Sequence, residues 1–98
     1  MKWLWTWKGI FFGYRDGDNL WTYEGKHIGE FYNDEIYDMN GKYLGEIISD
    51  NRLIRDKSKR SNRKNGFSPY VKRARYNKFS NYAGYAMYAG YEDFPTEV

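Results

Sequence analysis

Ninety-eight residues without a cysteine allow one small domain and exclude disulfides and thiolate metal sites. Aromatic residues supply 21% of the chain while Leu, Ile and Val are sparse, so composition predicts a core of large flat rings rather than branched aliphatics. The net charge of +3 conceals a division: residues 1–51 carry five basic and nine acidic side chains, residues 52–78 eleven and one, and residues 79–98 none and three.

The N-terminal run Trp3-Leu4-Trp5-Thr6-Trp7 is too short for a signal peptide and is broken by Thr6 and Lys8. No stretch approaches the roughly 20 apolar residues of a membrane span. With cysteine absent as well, a soluble cytoplasmic protein is the expectation.

From residue 4 the chain repeats itself. Residues 4–19, 20–35 and 36–51 align without a gap. Leu4, Leu20 and Ile36 fall in register, as do Trp5, Trp21 and Tyr37, then Gly9, Gly25 and Gly41. Phe12, Ile28 and Leu44 come next, each immediately before Gly13, Gly29 and Gly45. Such self-similarity at a fixed period marks a repeat-built body. Each 16-residue copy reads as two short strands about a tight turn. Asn40-Gly41 predicts a two-residue type I′ loop, with Glu24-Gly25 and Lys8-Gly9 as weaker versions. A second turn closes each copy at Asp16-Gly17-Asp18-Asn19, Asn33-Asp34-Glu35 and Ser49-Asp50-Asn51, residues that accept left-handed backbone. The glycines at 13, 29 and 45 sit inside a strand, which predicts a bulge or a close backbone approach in every copy. A degenerate fourth copy begins after the inserted Arg52, with Leu53-Ile54-Arg55-Asp56 in the place of the first strand. One hairpin cannot shield its own apolar face, so the copies must assemble together.

Trp21 to Gly29, Ile36-Tyr37-Asp38-Met39-Asn40-Gly41-Lys42-Tyr43-Leu44-Gly45 and Leu53-Ile54-Arg55-Asp56 resemble the four-fold β-flower proteins, small bacterial proteins built of short hairpin repeats. The resemblance covers about residues 3–60. It implies a pseudo-four-fold axis and brings no activity and no site residues. The C-terminal part departs from the basic Pro/Val-rich tail the family suggests.

The expected fold is therefore all-β: about four short antiparallel hairpins in tandem around a pseudo-four-fold axis, with an irregular C-terminal tail. Residues 1–60 would form the repeat domain (4–19, 20–35, 36–51 and the degenerate 52–60), 61–79 a basic linker, and 80–98 a Tyr/Gly-rich segment folded back or shared between chains. In that last segment Tyr82, Tyr85, Tyr88 and Tyr91 recur every third residue, the stripe of an extended threefold helix.

Sites for chemistry are scarce. His27, the single histidine, stands where other copies have Phe11 and Tyr43 and is expected to pack as a flat ring. Glu30 and Glu46 are equivalent and would be paired carboxylates if they faced each other, or ordinary solvent-facing residues if not. Trp5, Trp21 and Tyr37 are either core or a ring ladder for flat ligands. No nucleophile motif or phosphate-cradling loop accompanies them, so the chain is expected to be non-catalytic and without a cofactor or metal. The basic stretch offers Lys57, Lys59, Arg60, Arg63, Lys64, Lys72, Arg73 and Arg75, interleaved with Tyr70, Tyr76 and Phe79, as candidate contacts to nucleic acid or another anion. Equally, it docks on the acidic repeats or stays solvated. The expected role is a scaffold or interaction module that self-associates or binds another protein, not a membrane; the alternative is accessory nucleic-acid binding through residues 55–78.

Overall fold

The computed structural model describes all residues, Met1–Val98. The chain forms β1 (Lys2–Thr6), β2 (Phe11–Asp16), β3 (Asn19–Thr22), β4 (His27–Tyr32), β5 (Glu35–Tyr37), β6 (Tyr43–Ile48) and β7 (Arg52–Asp56). A single 3-10 turn, Lys57–Lys59, comes next, and β8 (Tyr91–Asp93) is supplied by the far end of the chain. Each strand pairs antiparallel with the next, and β1 also pairs with β7 in parallel. The body is thus a closed seven-stranded mixed barrel with one extra strand. No helix is long and apolar enough to cross a membrane.

The repeats account for the strands. β1–β2, β3–β4 and β5–β6 are the three expected hairpins. The expectation of four contiguous antiparallel hairpins is corrected in the fourth copy. There β7 turns away through Lys57–Lys59, and its antiparallel partner is Tyr91–Asp93, paired Ile54 with Asp93 and Asp56 with Tyr91. Without a glycine after Asp56 the fourth copy has no residue suited to the tight return that the other three make.

The tight turns also differ from the type I′ expectation. Asn40 does not take positive φ; Gly41 alone does, at 80°, like Gly9 at 94° and Gly25 at 95°. The Asp38 carbonyl accepts from Gly41 N–H at 2.9 Å while Asp38 N–H donates to Lys42 at 2.8 Å. The loop is therefore three residues long and ends on the left-handed glycine. Thr6 and Thr22 hydroxyls and the Asp38 carboxylate cap these turns equivalently, each accepting from the backbone N–H four residues on. The expected bulges occur: the register shifts between Leu4 and Trp5, Leu20 and Trp21, and Ile36 and Tyr37. The closing turns take left-handed backbone at Gly17, Asn33, Ser49 and Asp50.

Most buried hydrophobic side chains are aromatic, as composition predicts, but the innermost cluster is not built of them. The interior cluster is Leu4, Phe12, Leu20, Ile28, Phe31, Ile36, Leu44, Leu53 and Phe94, mostly aliphatic. Trp5, Trp7, Phe11, Tyr14, Trp21, Tyr37 and Tyr43 are buried too, but outside that cluster. A barrel of seven short strands is narrow, and its axis admits Leu and Ile more readily than indoles. The rings are buried on the outer face, beneath the chain beyond β7.

Candidate functional site

Residues 64–88 have no helix or strand, yet they are tied to the barrel at regular stations. Lys64, Arg73 and Tyr82 donate their N–H groups to Gly41, Gly25 and Gly9 at 2.9, 2.9 and 2.8 Å. Phe67, Tyr76 and Tyr85 donate to Met39, Tyr23 and Trp7. The strap therefore advances nine residues for each 16-residue unit, in reverse order of the units. Within each nine, every third side chain meets the barrel, the periodicity of an extended threefold helix. Tyr82 stacks on Trp5 at 3.9 Å between ring centroids, Phe79 on Phe11 at 4.8 Å, and Tyr70 on His27 at 5.2 Å. Tyr76 meets Trp3 and Tyr14 edge-on. The repeated rings Trp5 and Trp21 thus lie beneath the strap and form no open ladder, as the core alternative anticipated. Trp5 and Trp7 indole N–H groups donate to Ser80 and Ala86, whereas the buried Trp21 indole finds no acceptor.

His27 is the flat ring that its place in the repeat suggested. It is 4% exposed, stacks with Trp21 at 5.0 Å, and touches Phe67 and Tyr70. Tyr70 N–H donates to Nδ1 at 3.1 Å, and Nε2 lies 3.1 Å from the Gly29 carbonyl. That pair of partners requires the neutral ring protonated on Nε2. Burial holds its pKa below the ordinary value, against the opposing pull of the Gly29 carbonyl.

The basic candidates separate into two sets. Lys59 is tied to Glu35 at 2.8 Å and Glu46 at 3.0 Å, carboxylates that face each other across β5 and β6. Its hydrogen bond holds Glu35 below the usual carboxylate range and Lys59 above the usual amine range. Arg73 lies 3.8 Å above Trp21 and pairs with Asp16 at 2.9 Å. Arg60 approaches Glu92, and Lys64 sits over Tyr32 and Tyr37. In contrast Lys57, Arg63, Lys72 and Arg75 are exposed and meet no carboxylate, Arg75 leaning over Tyr23. Glu46 has Glu35 as its cross-strand neighbour while Glu30 lies opposite Asn19 and Tyr37, so the paired-carboxylate alternative for Glu30 and Glu46 is not taken.

Sequence reasoning missed Arg52. It is 4% exposed, donates to the carbonyls of Trp7 and Ala83 at 3.1 and 3.0 Å, and lies 4.2 Å from the Tyr85 ring. The inserted position marked it, and its role is to bind the strap to the barrel seam.

A cavity of about 810 Å³ opens at one end of the barrel. Phe12, Ile28 and Leu44, one from each complete unit, line it together with His27, Tyr70 and Val98. The hairpin tips and the strap form its rim.

The model of the 4-fold beta flower proteins matches residues 1–89, the barrel and nearly the whole strap. This chain belongs to that family. No curated protein and no solved structure matches it. In this β-flower the segment beyond the hairpins is thus part of the family's pattern, since the match runs through residue 89.

Proposed function

We propose that this β-flower is a non-catalytic interaction module that self-associates through its strap. Its body is a pseudo-four-fold flower of which the fourth petal is completed from a distance. Supporting the four-fold reading, Leu4, Leu20, Ile36 and Leu53 stand at matching stations, and Phe94 joins Phe12, Ile28 and Leu44 in the interior cluster. The observation that carries the functional reading is the ridge on the strap. Tyr76, Phe79, Tyr82, Tyr85 and Tyr88 each press one side on the barrel yet remain between 39% and 51% exposed. A continuous apolar ridge of this kind on a small protein is characteristic of a protein-binding face. Light scattering over a concentration series tests it. The whole chain is expected to exceed monomer mass, and Tyr85→Ser with Tyr88→Ser to return it to monomer. A monomer throughout the series overturns the reading.

The uncommitted cations favour a second reading, accessory nucleic-acid binding. Lys57, Arg63, Lys72 and Arg75 are free to meet phosphates beside Tyr70 and Tyr76, rings able to stack on bases. Gel shift at about 50 mM salt, where phosphate contacts are strongest, decides it: absence of any complex with DNA or RNA removes this reading.

A further inference from the structure

The barrel's two ends are closed to different degrees. At the end carrying the closing turns, Phe31 and Ile47 pack into the interior, and Arg15 lies 4.0 Å above the Phe31 ring while pairing with Asp18. That end is plugged. At the end carrying the hairpin tips the last interior layer is Phe12, Ile28 and Leu44, and above it lies the cavity of about 810 Å³. The bulge in each unit turns these three side chains inward, so the floor is apolar by construction.

The rim has the opposite character. Lys26 stands at the second hairpin tip, and Lys72 and Lys78 come from the strap; all three are exposed and none meets a carboxylate. The rim acids are Glu24 and Asp38. Asp38 Oδ1 already accepts the N–H groups of Asn40 and Lys42 and belongs to its own turn. Those neutral amides leave its charge in place, so three lysines against two carboxylates give the mouth a net charge of +1 above a hydrophobic floor, with all three ammonium groups unpaired.

We propose that the mouth binds a small amphipathic anion, its hydrocarbon or aryl body seated on Phe12, Ile28 and Leu44 and its acid group held by Lys26, Lys72 and Lys78. A volume of this size falls within the range of small-molecule sites, roughly 300–1,000 Å³, which combine an apolar lining with a few polar groups that fix orientation. Neither a cation nor a sugar matches this arrangement. A cation would face the lysines, and a sugar would leave its hydroxyls without partners on the floor.

Titration of ¹⁵N-labelled protein with octanoate, octylammonium and octanol, each below its micellar concentration, tests the proposal. Octanoate is expected to give saturable shifts at Lys26, Ile28 and Leu44, with octylammonium at least about tenfold weaker, the discrimination expected of complementary charge. Lys72→Glu with Lys78→Glu should weaken octanoate and favour octylammonium, and both positions lie on the exposed strap, away from the core. Leu44→Trp should fill the floor and abolish binding of all three. No saturable shift with octanoate overturns the proposal. So does equal binding of the three probes, or octanoate binding untouched by the double charge reversal.

Discussion

The inside and the outside of this barrel are made by different rules. Inside, four aliphatic side chains at one level, Leu4, Leu20, Ile36 and Leu53, are each fully buried and come from strands that the repeat itself brings together. Outside, Trp5, Trp21 and Phe11 are as well buried, but only because a separate segment lies on them. The interior depends on closure of the ring of strands. The exterior depends on a strap without a hydrogen-bond ladder of its own, held station by station. The barrel should therefore answer perturbation as one cooperative unit, while the strap gives way locally.

The sharpest test of that difference lies in the interior. Leu20→Ala is expected to cost about 3 kcal/mol in urea denaturation, because a narrow packed interior collapses poorly around a lost side chain. The loss should be global, shifting intrinsic tryptophan fluorescence and backbone circular dichroism together. Separate transitions for the two signals would show that the inside is not one unit.

Next comes the joint between the two regions. Gly25 has φ of 95°, and a Cβ placed there would overlap the carbonyl oxygen of Arg73 in the strap. Gly25→Ala should cost about 2 kcal/mol, combining left-handed backbone strain with displacement of the strap. Hydrogen exchange should accelerate at Arg73 and Tyr76 while the interior strands stay protected. Uniform acceleration would place the strap inside the cooperative unit after all.

Legibility in the sequence divides along the same line. The strands, closing turns and bulges could be read because the glycine register fixes them locally. The eighth strand could not, since Tyr91-Glu92-Asp93-Phe94 carries no repeat signature and finds β7 only across the strap. The threefold stripe was visible in Tyr82 to Tyr91 alone. Upstream its stations at Lys64 and Arg73 are cationic, so they read as part of a charge run, although each lies over a ring. Docking of the basic stretch on acidic repeats was one of the open alternatives, and Lys59 and Arg73 take that course. The mouth cavity left no trace in the sequence, because its walls come from three hairpin tips and a strap that only closure assembles.

A smaller effect comes through pH. His27 Nδ1 accepts from the strap at Tyr70, so the folded state requires the neutral ring, and its pKa lies below the ordinary 6.5. Glu30 opposes that shift and Arg73 adds to it. Stability from this contact is complete above pH 6.5 and is lost as the pH falls below it, because the unfolded chain takes up the proton first. About 1 kcal/mol is expected to go, the worth of one buried hydrogen bond. His27→Phe should flatten the stability profile between the ordinary histidine value of 6.5 and the ordinary glutamate value of 4.5. An unchanged slope would mean that the strap does not register the proton.

The smallest effect belongs to the ion triad that anchors the start of the excursion from β7. Glu35 and Glu46 are cross-strand partners, and like charges so placed repel unless a cation lies between them. Lys59 supplies it from the 3-10 turn, but its side chain is 30% exposed and the pair is partly screened. Lys59→Met should therefore cost only about 0.5–1 kcal/mol at neutral pH. The sign with pH is set by Glu35, whose pKa is depressed chiefly by the Lys59 hydrogen bond. Its contribution is present above pH 4.5 and fades as the pH falls through the lowered value, so the gap between native protein and variant should close in acid. Added salt should narrow the gap as well, since the charges are within reach of solvent. A gap that persists unchanged at low pH would assign the role of Lys59 to packing of its aliphatic stem, and the fourth unit would then be held, like the interior, by apolar contact alone.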